Sequence, residues 1–203
     1  MTTTIKGSDG KQRCSWCGAA PEFLAYHDTE WGFPVDDDFR LFEKLCLESF
    51  QSGLSWRTIL AKRENFREAF HHFDFNKVAR FTQRDINRLL KNEGIVRHRG
   101  KIESVINNAK QAKKLVKQEG SLAAFLWRYE PDPKSLAKPQ SVSTSEESIA
   151  LSKDLKKMGW KFIGPTTVYA FMQAMGMIND HVQGCIIRNK VMQARKKFQS
   201  PGA

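Results

Sequence analysis

The chain reads as an all-α protein. Three observations carry that reading: apolar residues recur at helical spacing from Asp36 to Met175, helix-start residues precede nearly every such run, and alternating strand patterns are essentially absent. Asp36, Asp37 and Asp38 open the first strong helix, with Phe39, Leu41, Phe42, Leu45 and Cys46 behind them. Glu48 stands seven residues after Leu41 and three after Leu45, so it projects from that helix's apolar face. An unpartnered buried carboxylate is costly. Glu48 is therefore either salt-bridged at the edge of the core or lining a pocket, and the Gly53 break followed by Trp56 favours a pocket with an aromatic wall.

The remaining elements follow in order. Ser55 caps a helix to about Lys62, which restarts over Glu64 to Phe70, and Asp74 opens a short turn of helix through Val78. Thr82 with Asp85 three residues on is a capping-box signature, and Gly94 ends that helix. A long helix spans roughly 99–119, and Ser121 caps another that buries Leu122, Phe125, Leu126 and Tyr129. Pro131, Pro133 and Pro139 mark a linker. Thr144 and Ser145 start a helix to Met158, stopped by Gly159, and Thr166 to Met175 form the last strong helix, closed by Gly176. Residues 13–35 set Pro21, Gly32 and Pro34 among Cys, Trp, Tyr and His, so an irregular segment held by side chains is expected there. Residues 1–12 are expected to be a disordered extension and 191–203 a basic, flexible tail, which leaves 13–190 as a single all-α domain.

With 203 residues, 40% of them hydrophobic, the chain can bury one sizeable core. The net charge of +11 points to a polyanionic partner rather than to any fold. No signal-peptide pattern precedes Cys14, no run reaches the roughly 18 apolar residues of a membrane span, and four cysteines do not suggest a disulfide framework. The expectation is a cytoplasmic monomer with no membrane contact.

Four constellations carry chemistry. The turn from Trp160 to Thr167 joins two helices through Gly164 and Pro165, and resembles the helix-hairpin-helix that docks on the DNA backbone without reading sequence. Free N–H groups at a helix start bind phosphate, Gly164 allows close approach, and Lys161 adds charge. Cys14, His27, His181 and Cys185 form the second constellation. His181 and Cys185 lie one helical turn apart, and a Cys2His2 set suits tetrahedral zinc with no open position. Cys14 and Cys17 are themselves at a metal spacing, so Cys17 remains an alternative ligand on spacing alone. The third is the aromatic set Trp16, Phe23, Tyr26, Trp31 and Trp56 around Glu48, which suits a flat cationic guest. The fourth is charge: Lys110, Lys113, Lys114 and Lys117 read as a solvated stripe, whereas Arg97, Arg99 and Lys101 cluster at the start of the long helix as better phosphate contacts.

These motifs recur in a known order: Cys14-Ser15-Trp16, Ala25-Tyr26-His27-Asp28, Glu30-Trp31-Gly32, Cys46-Leu47-Glu48, Gln51 to Trp56, Lys62-Arg63-Glu64-Asn65, Gly94 to Arg99, Lys161 to Thr166, and Asn179-Asp180-His181. Over about residues 13–188 the chain resembles the bacterial helix-hairpin-helix family of 3-methyladenine DNA glycosylase I. The resemblance implies a helix-hairpin-helix glycosylase-like fold with a zinc-tethered N-terminal segment. It implies hydrolytic excision of 3-methyladenine from double-stranded alkylated DNA, leaving an abasic site. It places Glu48 at the pocket carboxylate, Trp56 at the stacking Trp, and Tyr26 and Trp16 at pocket aromatics. Cys14, His27, His181 and Cys185 fall on the zinc ligands, which sets Cys17 aside, and no organic cofactor is implied.

Two departures from the family stand out: Phe23 replaces a frequent Tyr at the pocket rim, and Phe50 is bulkier than usual after Glu48. Broader-range relatives place an Asp at about the position of Asp180. Competing readings are the same fold with altered lesion range, or a zinc-stapled DNA-binding module without catalysis. An RNA-binding protein would need a stacking platform that the sequence lacks.

Overall fold

The computed structural model describes residues 3–201. Its chain opens with a short antiparallel hairpin, β1 (Thr4–Lys6) and β2 (Gln12–Cys14), paired Thr4 to Cys14. This corrects the disordered extension expected over residues 1–12, of which 1 and 2 lie outside the described residues. The hairpin is held from outside its own backbone: Arg13 is buried between Asp9 and Asp28, its guanidinium 2.8 Å from each.

A second correction concerns residues 13–35. Helix α1 (Pro21–Thr29) occupies the middle of this stretch. Pro21 sits at the first helical position, where a missing N–H costs nothing. The helix shows no apolar periodicity in sequence because its faces are given to aromatic rings and a metal-ligating His.

Helix α2 (Asp38–Gln51) is the centre of the molecule. Asp37 caps it by accepting from the Arg40 N–H at 2.8 Å, and every residue from Leu45 to Phe50 is buried. Around it come α3 (Trp56–Ala61), capped by Ser55, α4 (Arg63–Ala69), α5 (Phe75–Val78), and α6 (Gln83–Leu90), where Asp85 accepts from the Thr82 N–H at 2.8 Å as expected. The long helix α7 (Arg99–Glu119) and short α8 (Leu122–Leu126) follow. After the proline-rich stretch, α9 (Glu146–Lys157) and α10 (Pro165–Ala174) pack on each other, and α10 packs on α2. Gly176 ends α10 at φ +79°; a Cβ there would stand 2.5 Å from the Phe33 carbonyl carbon, so only glycine lets α10 abut the 32–35 segment.

Phe50 belongs to this core. It is fully buried, with ring centroids 4.6 Å from Phe66 and 6.1 Å from Phe70. Burying a ring of this size contributes roughly 1.5–3 kcal/mol. Its bulk therefore fills space between α2 and α4 and does not reach a pocket rim.

The C-terminal stretch is also corrected. Helix α11 (Ile186–Lys197) runs through most of the expected tail. Ile187 and Val191, four residues apart, are buried, and Phe198 packs on Trp127 at 4.5 Å. The basic residues masked a short apolar stripe. Residues 202 and 203 lie outside the described residues. Among the described residues no helix is long and apolar enough to cross a membrane.

Candidate active site and metal centre

Cys14 ends β2, His27 lies in α1, His181 follows α10, and Cys185 caps α11. The chain's two ends thus converge, and the four donor atoms lie within 4.8 Å of one another. His181 Nδ1 is 3.2 Å from His27 Nε2 and 3.6 Å from Cys185 Sγ, and Cys14 Sγ is 3.7 Å from His181 Nδ1. A tetrahedral ion with bonds of roughly 2.1 Å to nitrogen and 2.3 Å to sulfur requires donor separations of about 3.4–3.8 Å. The set fits a structural zinc, with no position left open.

The outer atoms are committed as well. His27 Nδ1 bonds Asp28 at 2.7 Å, and His181 Nε2 bonds the Trp31 carbonyl at 2.9 Å, which turns the other ring nitrogens inward. The hydrogen bond with Cys185 and then burial push the Cys14 thiol up, while the same bond pulls Cys185 well below the usual thiol range. Cys17 lies outside the set, and burial raises its thiol to about 11.

The aromatic wall is built directly on this knot. Trp31 meets His181 at 4.7 Å and Trp16 meets His27 at 5.2 Å, both edge to face, and Trp16 also contacts Trp31 and Phe23. A cavity of about 270 Å³ opens beside them, lined by Trp16, Phe23, Tyr26, Trp31, Glu48, Gln51, Trp56, Ala170 and Gln173. All six pocket residues expected from the sequence therefore share one cavity. Gln51, Ala170 and Gln173 were not anticipated: α10 supplies the last two, and nothing local in their sequence signals a pocket.

Glu48 satisfies both readings offered for it. It lines the cavity, and it is paired: Lys44 Nζ lies 2.7 Å from Glu48 Oε1. The same ammonium donates to the Tyr26 hydroxyl at 2.7 Å and sits 3.5 Å from the centroid of Trp56. Burial pulls Lys44 below its ordinary pKa, against the pull of Glu48, while burial and then the Glu48 charge push the Tyr26 phenol well above its own. Lys44 is the charged residue beside the cavity that sequence reasoning missed. Its signal was available, since it stands four residues before Glu48 on the same helical face. Behind it a second layer of charge is self-paired, Arg63 with Glu30 at 2.6 Å and Arg67 with Glu43 at 2.7 Å.

Asp180 does not line the cavity. It is buried, accepting from the Gln140 N–H at 2.8 Å and the Gln173 amide at 2.5 Å.

The hairpin turn lies between α9 and α10. Asn108 of α7 pins it by bonding both the N–H and the carbonyl of Lys161, at 2.8 and 2.9 Å, and Ser152 holds the Ile163 carbonyl. Lys161 and Thr166 are exposed, Gly164 caps α10, and no side chain satisfies that helix's first N–H groups. Exposed Arg97 and Arg99 flank His98, whose ring meets Phe162 of the turn at 6.3 Å, so the two basic sites adjoin. Lys101 differs from expectation. It turns inward, and its ammonium bonds the Phe50 and Ser52 carbonyls at the end of α2, at 2.9 and 2.5 Å.

A pinned helix-hairpin-helix beside an aromatic cavity with a buried carboxylate, tied by a Cys2His2 knot, defines a helix-hairpin-helix glycosylase-like protein. Residues 16–189 match the profile of the methyladenine glycosylase family, and the chain belongs to that family. It is 46% identical to DNA-3-methyladenine glycosylase 1 of Escherichia coli over 178 residues, covering 86% of this chain and 95% of that protein. It is 47% identical over 177 residues to DNA-3-methyladenine glycosylase of Haemophilus influenzae, covering 85% and 96%. A crystal structure of a 3-methyladenine DNA glycosylase I variant in complex with 3-methyladenine superposes with a TM-score of 0.81 at 40% identity, over 87% of this chain and 97% of that one.

Proposed function

We infer that this chain is a monofunctional DNA glycosylase that hydrolyses the N-glycosidic bond of 3-methyladenine in alkylated duplex DNA and leaves an abasic site. One observation carries the reading beyond the family: five aromatic rings and Glu48 line a single cavity. A base inside a duplex cannot reach such a cavity, so it must leave the stack and lie among the rings. N3-methylation makes the base cationic and a good leaving group, so little general-acid help is needed. Glu48 accepts from the N6/N7 side of the base and favours its positive charge, and Trp56, Tyr26, Trp16, Trp31 and Phe23 enclose it.

Hydrolysis without strand cleavage is supported by the cavity's lining, which among the described residues holds no lysine. The buried lysines among the described residues are Lys44 and Lys101, and both ammonium groups are held by protein oxygens. Neither is free to act as an amine nucleophile. On the outer face Lys161, Gly164 and Thr166 hold phosphate at the start of α10, with Arg97 and Arg99 alongside. Leu54 is exposed at the turn that Gly53 makes at φ +77°, next to the cavity residues Gln51 and Trp56, and suits the apolar wedge that fills the gap left by the base. The protein acts as a monomer in the cytoplasm.

Chromatography of bases released from methylated duplex DNA tests this. Release of 3-methyladenine with little 7-methylguanine is expected. No released base from folded, zinc-loaded protein would overturn the reading.

A further inference from the structure

Lys44 is a buried charge that the reaction described above does not use, and its geometry constrains the two polar groups that line the cavity. An ammonium donates and cannot accept. At Tyr26 the phenol oxygen must therefore be the acceptor of the 2.7 Å bond, and among the described residues that hydroxyl has no second partner. Its own proton is left to donate to whatever enters the cavity that Tyr26 lines. At Glu48 the same ammonium, 2.7 Å from Oε1, is the carboxylate's one partner among the described residues and keeps it an acceptor. The cavity thus presents a fixed donor, Tyr26, beside a fixed acceptor, Glu48. Trp56 contributes as well: Lys44 takes one face of the indole at 3.5 Å, while the same residue lines the cavity.

That polarity matches one kind of purine edge. Adenine offers its N6 amino donor beside the N7 acceptor, whereas guanine offers two acceptors, O6 and N7. A donor–acceptor pair satisfies both atoms of the adenine edge and sets guanine O6 against a carboxylate. Without the ammonium, the phenol proton can turn to the carboxylate instead, and the pair no longer has a fixed sense.

We propose that Lys44 is a specificity-determining positioning residue, which fixes Tyr26 as donor and Glu48 as acceptor and so restricts the cavity to an adenine-type edge. The assignment rests on the cavity being the site of the flipped base. Lys44 itself touches neither base nor sugar, and acts through its two partners.

The test compares wild type, Lys44→Met, Lys44→Gln and Lys44→Arg on duplex DNA carrying 3-methyladenine and 3-methylguanine, whose O6 and N7 both stay free to accept. Zinc content and thermal melting are followed for each protein. In Lys44→Met the ratio of guanine-lesion to adenine-lesion release rises by about tenfold, within the range of one lost base contact. Its kcat for 3-methyladenine falls while KM for the DNA stays, because the phosphate contacts are untouched. Lys44→Gln keeps the length without the charge, gives the same change in ratio, and carries the test should Lys44→Met not fold. Lys44→Arg retains a cationic donor and recovers most of the adenine preference. An unchanged ratio in a folded neutral variant of an active enzyme overturns this assignment alone. A wild type that releases no 3-methyladenine overturns the glycosylase reading and this assignment with it.

Discussion

His27 and Tyr26 are neighbours in α1, yet one joins a closed set of donors and the other an open one. In the metal knot, His27, His181, Cys14 and Cys185 turn their donor atoms toward one point, and the outer imidazole nitrogens are spent on Asp28 and the Trp31 carbonyl. Around Lys44, the Tyr26 proton and part of the Glu48 carboxylate remain unspent and line a cavity. Both groups are buried and both draw on distant elements. The difference is completeness: saturated donors hold a structure rigid, while unsaturated ones await a ligand. The two regions also share a wall, since Trp31 and Trp16 touch the metal-ligating rings on one side and line the cavity on the other.

The comparison can be broken first at the knot. Removing zinc with a chelator should cost about 4 kcal/mol of unfolding free energy if the ion was held at a thousandfold excess over its Kd. Thermal unfolding measures this, and Trp fluorescence should shift before the core melts because the wall rests on the ligands. A weaker blow comes from Asp28→Ala, which leaves His27 Nδ1 without its carboxylate. Metal affinity should fall about 10–100-fold, read by competition with a chromophoric chelator. On the open side, Lys161→Ala should weaken binding to all duplexes alike and reduce the slope of log K against log salt by about 1. Base selectivity should be unchanged.

The smallest effect sharpens the contrast through the self-paired layer behind Lys44. Burial raises the Glu30 carboxyl, but its bonds to Arg63 and the charges of Arg63, Arg67 and Lys44 outweigh this and leave it below its ordinary value. A depressed carboxylate adds stability above its unfolded pKa, near 4.5, and loses it as the pH falls below. Glu30→Gln should cost about 1 kcal/mol at neutral pH and less in acid, in urea unfolding at the two pH values.

Much of this contrast is legible in the residues. Glu48 on an apolar helical face, the Cys and His spacing, and the hairpin turn around Gly164 are local patterns, and each stands where it was expected. The metal ligands from opposite chain ends are joined by the resemblance rather than by spacing, which left Cys17 open. What sequence hides is long-range. Helix α1 was obscured because a metal ligand and aromatic rings replace its apolar stripe. The hairpin at residues 4–14 depends on Arg13 reaching Asp28, and α11 on Val191 beneath a basic surface. Phe50, read as a pocket departure from its position two residues after Glu48, faces Phe66 because residues two apart on a helix point to nearly opposite sides. Gln173 enters the cavity from α10, which no window around Glu48 contains.

The central claim is that Glu48 serves the open set, so that its loss costs base release far more than DNA binding. Glu48→Gln, compared with wild type for both base release and binding to abasic-site duplex, tests it most directly. Release of 3-methyladenine should fall about 100-fold or more, as for removal of one preorganised charged contact, while abasic-site binding holds and the melting temperature falls only by the cost of leaving Lys44 without its carboxylate. Release at the wild-type rate, or binding lost in step with release, would contradict the account.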